Sequence, residues 1–236
     1  MAAAHDTWTV LPHGPIEKLT DNLWRVQGDL PNMPIKRVLT VARKTDGRLV
    51  IHNAIAMNDA AMAELEDWGE PAFLVVPNGH HRLDAPAFKR RYPKIIVVAP
   101  RGSRKKIEEV VPVEKTYDDF PNDDAVSMEY AGGIAEAEGV LKVRSAEGTS
   151  LIVNDLIFNQ PHGPGFMGFL FRILGSTGGP MVTGISRMFM VKDKRALRAY
   201  LERLADEPNL RRLIVSHGDP VNENVAGVLR SVAAAL

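Results

Sequence analysis

Histidines and aspartates gather where apolar runs of this sequence end. After Val75-Val76 comes Pro77-Asn78-Gly79-His80-His81-Arg82-Leu83-Asp84, which sets two histidines and an aspartate within five residues. After Ile152-Val153 come Asn154 and Asp155, and after Ile214-Val215 come Ser216-His217-Gly218-Asp219-Pro220. After Leu49-Val50-Ile51 come His52 and Asn53. A divalent ion takes about three or four nitrogen and oxygen ligands at roughly 2.0–2.2 Å, held by a rigid scaffold, and strand-end loops meet that demand. His80, His81, Asp84, Asp155 and His217 are therefore the candidate metal ligands. Zn is the first choice of cofactor, Fe and Mn are compatible, and a metal-free protein stays open. Each feature also has an ordinary reading: a His-His pair beside an aspartate can be a hydrogen-bonded loop or cap, Asp155 can cap a turn, and His217 can serve as a structural partner.

Positioning such groups requires a sheet, because ligand sites of α/β proteins lie at strand ends. The first fifty residues read as a meander: Leu23 to Gln27, Ile35 to Ala42 and Leu49 to His52, the last following the turn Thr45-Asp46-Gly47-Arg48. From Asn58 the period changes, since Ala61, Met62, Leu65 and Trp68 recur at helical spacing behind an N-cap at Asn58 or Asp59. The continuous apolar runs Phe73 to Val76 and Ile95 to Ala99 suit strands buried on both faces, with a short helix from Asp84 to Arg91 between them, capped by Asp84. Further strands are expected at Val126 to Tyr130, Val140 to Arg144, Leu151 to Val153 and Leu213 to Val215. Amphipathic helices are expected at Ala196 to Leu204 and along Val221, Val225, Val228, Leu229 and Val232. The order predicts one α/β domain over residues 1–236, with helices outside a pair of central sheets.

Composition narrows the partners. With 236 residues and 45% apolar content the chain can bury one large core. Lys+Arg and Asp+Glu both total 29, so no global field recruits nucleic acid or an acidic membrane surface. Cysteine is absent, which excludes disulfides, thiolate nucleophiles and Cys-ligated zinc. The start MAAAHDTWTV has neither the basic nor the apolar region of a signal peptide, and a cytoplasmic location is expected. The stretch Gly165 to Leu174 is interrupted by Arg172 and falls short of the ~20 apolar residues of a membrane span.

The tracts PNGHHRLD, LIVNDLIFN and IVSHGDPV, in that order, resemble motifs of the metallo-β-lactamase superfamily. VVPNGHHRLDAPAFKRRYPKIIVVAP with TSLIVNDLIFN is similar to a branch of that superfamily known mainly as a domain of unknown function. The resemblance runs from about Leu23 to Leu229. It implies an αββα sandwich with a metal site between the sheet edges, where the metal activates water against an ester, amide, thioester or phosphodiester. It also implies that Asp155 is the metal-binding carboxylate and a catalytic group, His217 the late histidine, His80 and His81 the His-rich loop, and Asp84 that loop's aspartate, with a second catalytic role.

The loop departs from the family's His-x-His-x-Asp-His pattern. An ungapped overlay puts Asn78 at the first histidine, Arg82 at the aspartate and Leu83 at the last histidine, so only His80 matches. The family's next histidine falls within Gly132 to Gly139, where Glu136 and Glu138 are the only candidates, and solvated turn carboxylates are the plainer reading of both. At most one metal is expected. Arg82 and Asn78 are candidate substrate-binding residues, with an ordinary surface ion pair the competing reading for Arg82. Gly163 to Met190, rich in Gly and Phe, reads either as a lid or apolar wall over the site or as a hydrophobic helix packed on the sandwich or against a second subunit.

Three functions are compatible with these residues: a hydrolase with one retained metal and a small-molecule substrate, a metal-free relative binding a small anionic or apolar ligand, and a homo-oligomeric interaction protein using Gly163 to Met190.

Overall fold

Alternating and continuous apolar strands recur along the chain, and the computed structural model gathers those of the first half into one sheet and most of those of the second half into another, the two sharing one core. It describes residues 3–163, 165–173 and 175–236. The first sheet begins with strands β1 (Glu17–Thr20), β2 (Leu23–Leu30), β3 (Met33–Arg43) and β4 (Leu49–His52), paired antiparallel in chain order. Helix α1 (Asp59–Trp68) then crosses to β5 (Pro71–Val75), which pairs parallel with β4. Asn58 caps α1 by accepting from the Ala61 backbone N–H at 3.0 Å. Helix α2 (Ala85–Arg91), strand β6 (Ile96–Ala99), helix α3 (Arg104–Ile107) and strand β7 (Lys115–Thr116) continue the parallel half.

The second sheet has β8 (Val126–Tyr130), β9 (Gly139–Ser145) and β10 (Gly148–Ile152) as an antiparallel meander. The chain leaves it for β11 (Phe158–Gln160), helix α4 (Gly165–Ile173), β12 (Gly179–Met181), helix α5 (Gly184–Phe189) and helix α6 (Lys194–Ala205), with β11 and β12 forming a small antiparallel ribbon. It returns as β13 (Leu210–Ile214), parallel to β10 at the sheet edge, and ends in helix α7 (Val225–Ala234).

Three apolar clusters explain the layers. The faces of the two sheets meet through Val50, Phe73, Val75 and Val98 on one side and Met128, Leu141, Ile152 and Ile214 on the other. Outside the first sheet, Leu39, Ile51 and Leu74 pack under Met62, Leu65 and Phe88 of α1 and α2. Outside the second, Val140, Leu151 and Leu213 pack under Leu197, Leu201, Leu229 and Val232 of α6 and α7. The result is an αββα sandwich. Full burial of a side chain such as Phe73 contributes about 1.5–3 kcal/mol relative to exposure, so the shared inner layer is what joins the halves.

The structure corrects several local expectations. Asp84 makes no side-chain cap to α2; its carboxylate is drawn away by the buried Arg37. Val221 lies outside α7 and forms an antiparallel bridge with Leu213. Strands β1, β7, β11 and β12 are too short to show a period of two. Gly163 to Met190 contains helices α4 and α5, in keeping with the helical one of its two readings; the side chains of Phe166, Met167, Phe169 and Phe171 lie outside the described residues. Among the described residues, no helix is long and apolar enough to cross a membrane.

Candidate functional site

Four strand ends converge where the two sheets open. His81 stands on the loop after β5, Asn53 directly after β4, Asp155 after β10 and His217 after β13. His81, Asp155 and His217 each turn one ligand atom to a common point: His81 Nε2 lies 3.0 Å from Asp155 Oδ1, His217 Nε2 lies 3.4 Å from the same oxygen, and the two Nε2 atoms are 3.2 Å apart. A four-coordinate ion with ligands at roughly 2.0–2.2 Å sets those ligands roughly 3.3–3.6 Å from one another, so the triangle fits to within a few tenths of an ångström. Three protein ligands with an open fourth position is the arrangement of catalytic rather than structural divalent-ion sites.

The tautomers agree with that fit. Asn53 Nδ2 donates to the Val38 carbonyl at 2.7 Å, which leaves its Oδ1 as acceptor for His81 Nδ1 at 3.0 Å. The Lys36 carbonyl can only accept, and His217 Nδ1 lies 2.8 Å from it. Both rings thus donate through Nδ1 and turn Nε2 inward, where it can hold a proton toward Asp155 or give that proton up to a cation, the usual way a ligating histidine is oriented from behind. Asn53 holds φ at 57°, a left-handed conformation an asparagine tolerates and one that aims its amide between the sheets. Phe158 stacks on the His217 ring at 4.9 Å. Gly218 shapes the turn after β13: φ is 112° and an added Cβ would come within 1.9 Å of the Asn159 carbonyl, so only glycine lets this loop lie against the start of the β11 ribbon.

Charge follows geometry. Burial works to raise Asp155, yet the charges and hydrogen bonds of His81 and His217 hold its carboxyl well below the usual range. Burial lowers His81, and the Asp155 carboxylate offsets only part of that. For His217 burial is outweighed by the hydrogen bond and charge of Asp155, and the ring sits above its ordinary value. His52, buried on β4, is driven down to about 3 by burial and by the charge of His81, which keeps it neutral.

Beneath Asp155 lies a second carboxylate. Glu138, expected in a solvated turn, is fully buried: Oε1 accepts from the backbone N–H groups of Asn154 and Leu156 at 2.8 and 3.1 Å, and Oε2 from that of Asp155 at 2.9 Å. Asn78 Nδ2 bridges it to Asp155, 3.2 Å from Glu138 Oε2 and 2.8 Å from Asp155 Oδ2. Burial and the charge of Asp155 push Glu138 up to about 8 against the pull of its N–H donors. This hydrogen-bonded plug occupies the positions where the resemblance expected a first and a later histidine, and it holds the turn that presents Asp155.

The remaining candidates fall elsewhere. Asp84 is not part of the triangle. Its carboxylate receives Arg37 Nη2 at 2.7 Å, the Ala56 backbone N–H at 3.1 Å and the His5 ring at 2.7 Å, all in the interior. Arg82 turns to α3, donating to the Lys106 carbonyl and pairing with Glu109 at 2.8 Å, which is the ordinary reading. Glu136 pairs with Arg101 at the surface. His80 is exposed, on the wall of two adjoining cavities. The smaller, about 260 Å³, holds His81, Asp155 and His217; the larger, about 860 Å³, shares Asp155, His80 and Phe158 with it. Sequence reasoning gave no site role to Asn53 or Lys36. Asn53 carried a signal as a polar residue ending an apolar strand, whereas Lys36 acts through its backbone carbonyl and leaves none.

No family model and no curated protein matches the sequence. Solved structures do. A metallo-β-lactamase, DIM-1, exposed to ceftazidime, superposes with a TM-score of 0.64 at 14% identity, covering 96% of this chain and 99% of its own. A metallo-β-lactamase from Hirschia baltica gives 0.57 at 15% identity, covering 93% and 98%. The chain has the metallo-β-lactamase fold, and a His/Asp/His group of cation-binding geometry stands where its two sheets open.

Proposed function

We propose that this protein is a hydrolase dependent on one divalent cation held by His81, Asp155 and His217. The observation that carries the reading is the triangle of Nε2, Oδ1 and Nε2 atoms with both rings oriented from behind through Nδ1. Zn suits the two imidazoles and one carboxylate, and Fe or Mn are compatible with the same donors. When bound, such a cation polarises a carbonyl or phosphoryl oxygen and lowers the pKa of a water towards about 7. The chain's own part is to orient and to shield. Asn78 engages Asp155 Oδ2 and leaves Oδ1 to the site, Phe158 covers the His217 ring, and His80 adds a polar side chain to the wall of both cavities.

Among the described residues a second metal has no comparable group of ligands, and Asn78 and Glu138 are hydrogen-bonded to each other where the resemblance would put them. Elemental analysis of protein prepared without chelators or an affinity tag tests the reading. About one equivalent of metal is expected, lost in Asp155→Ala. No metal in the parent protein, and none gained on adding Zn²⁺, Fe²⁺ or Mn²⁺, would overturn it in favour of a metal-free pocket.

A further inference from the structure

We propose that the larger cavity is a binding site for an uncharged, hydrophobic acyl chain. The bond cleaved beside it is then that of an apolar ester, thioester or lactone, a substrate class that rests on the hydrolase reading while the chain site itself does not.

The cavity of about 860 Å³ is walled by Met33, Ile35, Phe158, Ile185, Phe189 and Met190 and reaches Asp155. Among its hydroxyls, Thr183 donates to Ser186 Oγ at 3.0 Å, Ser186 donates to the Asp155 carbonyl at 3.0 Å, and Thr177 Oγ1 lies 3.0 Å from His162 Nδ1. Among the described lining residues the ionisable side chains are His80 and Asp155, with no lysine or arginine. The arginines that line the adjoining smaller cavity are spent, since Arg37 is paired with Asp84 and Arg82 with Glu109. A phosphodiester would bring its charge to Asp155 without a counter-charge from these walls, whereas an acyl chain brings none. Ile185 and Phe189 are 49% and 65% exposed although they wall the cavity, and a bound chain would cover them.

Each methylene transferred from water into such a cavity is worth about 0.8 kcal/mol, or about fourfold in affinity. Nile red bound to chelator-stripped protein and displaced by methyl esters from butanoate to dodecanoate reads this directly. The displacing concentration is expected to fall about fourfold per methylene until the cavity fills. Ile185→Asp and Phe189→Asp, at exposed positions the fold tolerates, are each expected to flatten the series. With cation restored, p-nitrophenyl esters should gain in kcat/KM with chain length, and bis(p-nitrophenyl) phosphate should be turned over more slowly than the esters. Displacement independent of chain length, equal displacement in parent and variants, or preference for the phosphodiester would overturn the proposal. Chain-length-dependent displacement without cation uptake would uphold the acyl site and defeat the hydrolase reading; cation uptake without chain-length dependence would do the reverse.

Discussion

The Nε2 atoms of His81 and His217 face each other at 3.2 Å, each ring anchored through Nδ1 to a carbonyl oxygen, from the Asn53 amide and the Lys36 backbone respectively. Two lone pairs and the Asp155 carboxylate then converge on one point. That arrangement requires a proton or a cation between them.

The anchors set the affinity. Asn53→Ala removes the acceptor behind His81 and is expected to weaken cation binding about 10–100-fold without abolishing it, while His81→Ala and His217→Ala abolish it. Isothermal titration with Zn²⁺ separates these outcomes, and an Asn53→Ala protein that binds as tightly as the parent would show that its hydrogen bond does not orient the ring.

Cation affinity is expected to fall as pH falls. Burial lowers His217, but the hydrogen bond and charge of Asp155 outweigh it and raise the ring above 6.5, and the cation must displace that proton. Below the raised value apparent affinity drops about tenfold per pH unit; above it the profile flattens. Competition against a zinc indicator across this range checks the shape, and a flat profile below the His217 transition would contradict it.

Asp84 matters to stability rather than to the cation. Arg37 and Asp84 have side chains 3% and 0% exposed, so Asp84→Ala strands a buried guanidinium and is expected to cost about 3–5 kcal/mol in urea unfolding. Replacing both partners by apolar residues, as in Arg37→Met with Asp84→Leu, should recover much of that loss. A single variant as stable as the parent would remove the ion pair from the account.

Acid sensitivity has a specific source at Asp123. Burial opposes the shift, but Lys44, at 2.9 Å, and the backbone N–H groups of Val126 and Thr45 hold this carboxyl down to about 2. A folded value below the ordinary 3.8 means stabilisation present above 3.8 and lost as pH falls towards about 2. Unfolding measured across that window should lose part of its pH dependence in Asp123→Asn.

Gly218→Ala is expected to destabilise strongly, by at least ~2 kcal/mol, because φ of 112° is strained for any side chain and the new Cβ meets the Asn159 carbonyl. Thermal unfolding with and without Zn²⁺ checks it, and since the same turn presents His217, cation binding should weaken as well.

Long elements and their burial were readable in the sequence because period and continuity of apolar residues report them: β4, β5, α1 and α6 lie within a few residues of expectation. Asp155, His217 and His81 were visible as polar residues ending apolar strands. Asp84 shows where such reading stops, since spacing places a carboxylate near a histidine but not Arg37, 47 residues earlier, that claims it. Glu138 shows the same limit in reverse: a turn-like tract became interior because the backbone around Asp155 supplied its donors.

The inner layer gives the site a distant control. His81 rides on the first sheet and Asp155 and His217 on the second, so their separations measure how the two sheets sit on each other through Phe73, Met128 and Ile152. A slip of an ångström in that packing would open the triangle before it unfolded anything, and a misplacement of that size can cost about a hundredfold in function. Conservative repacking far from any polar group would therefore retune cation affinity and let it drift from one variant to the next with every ligand intact.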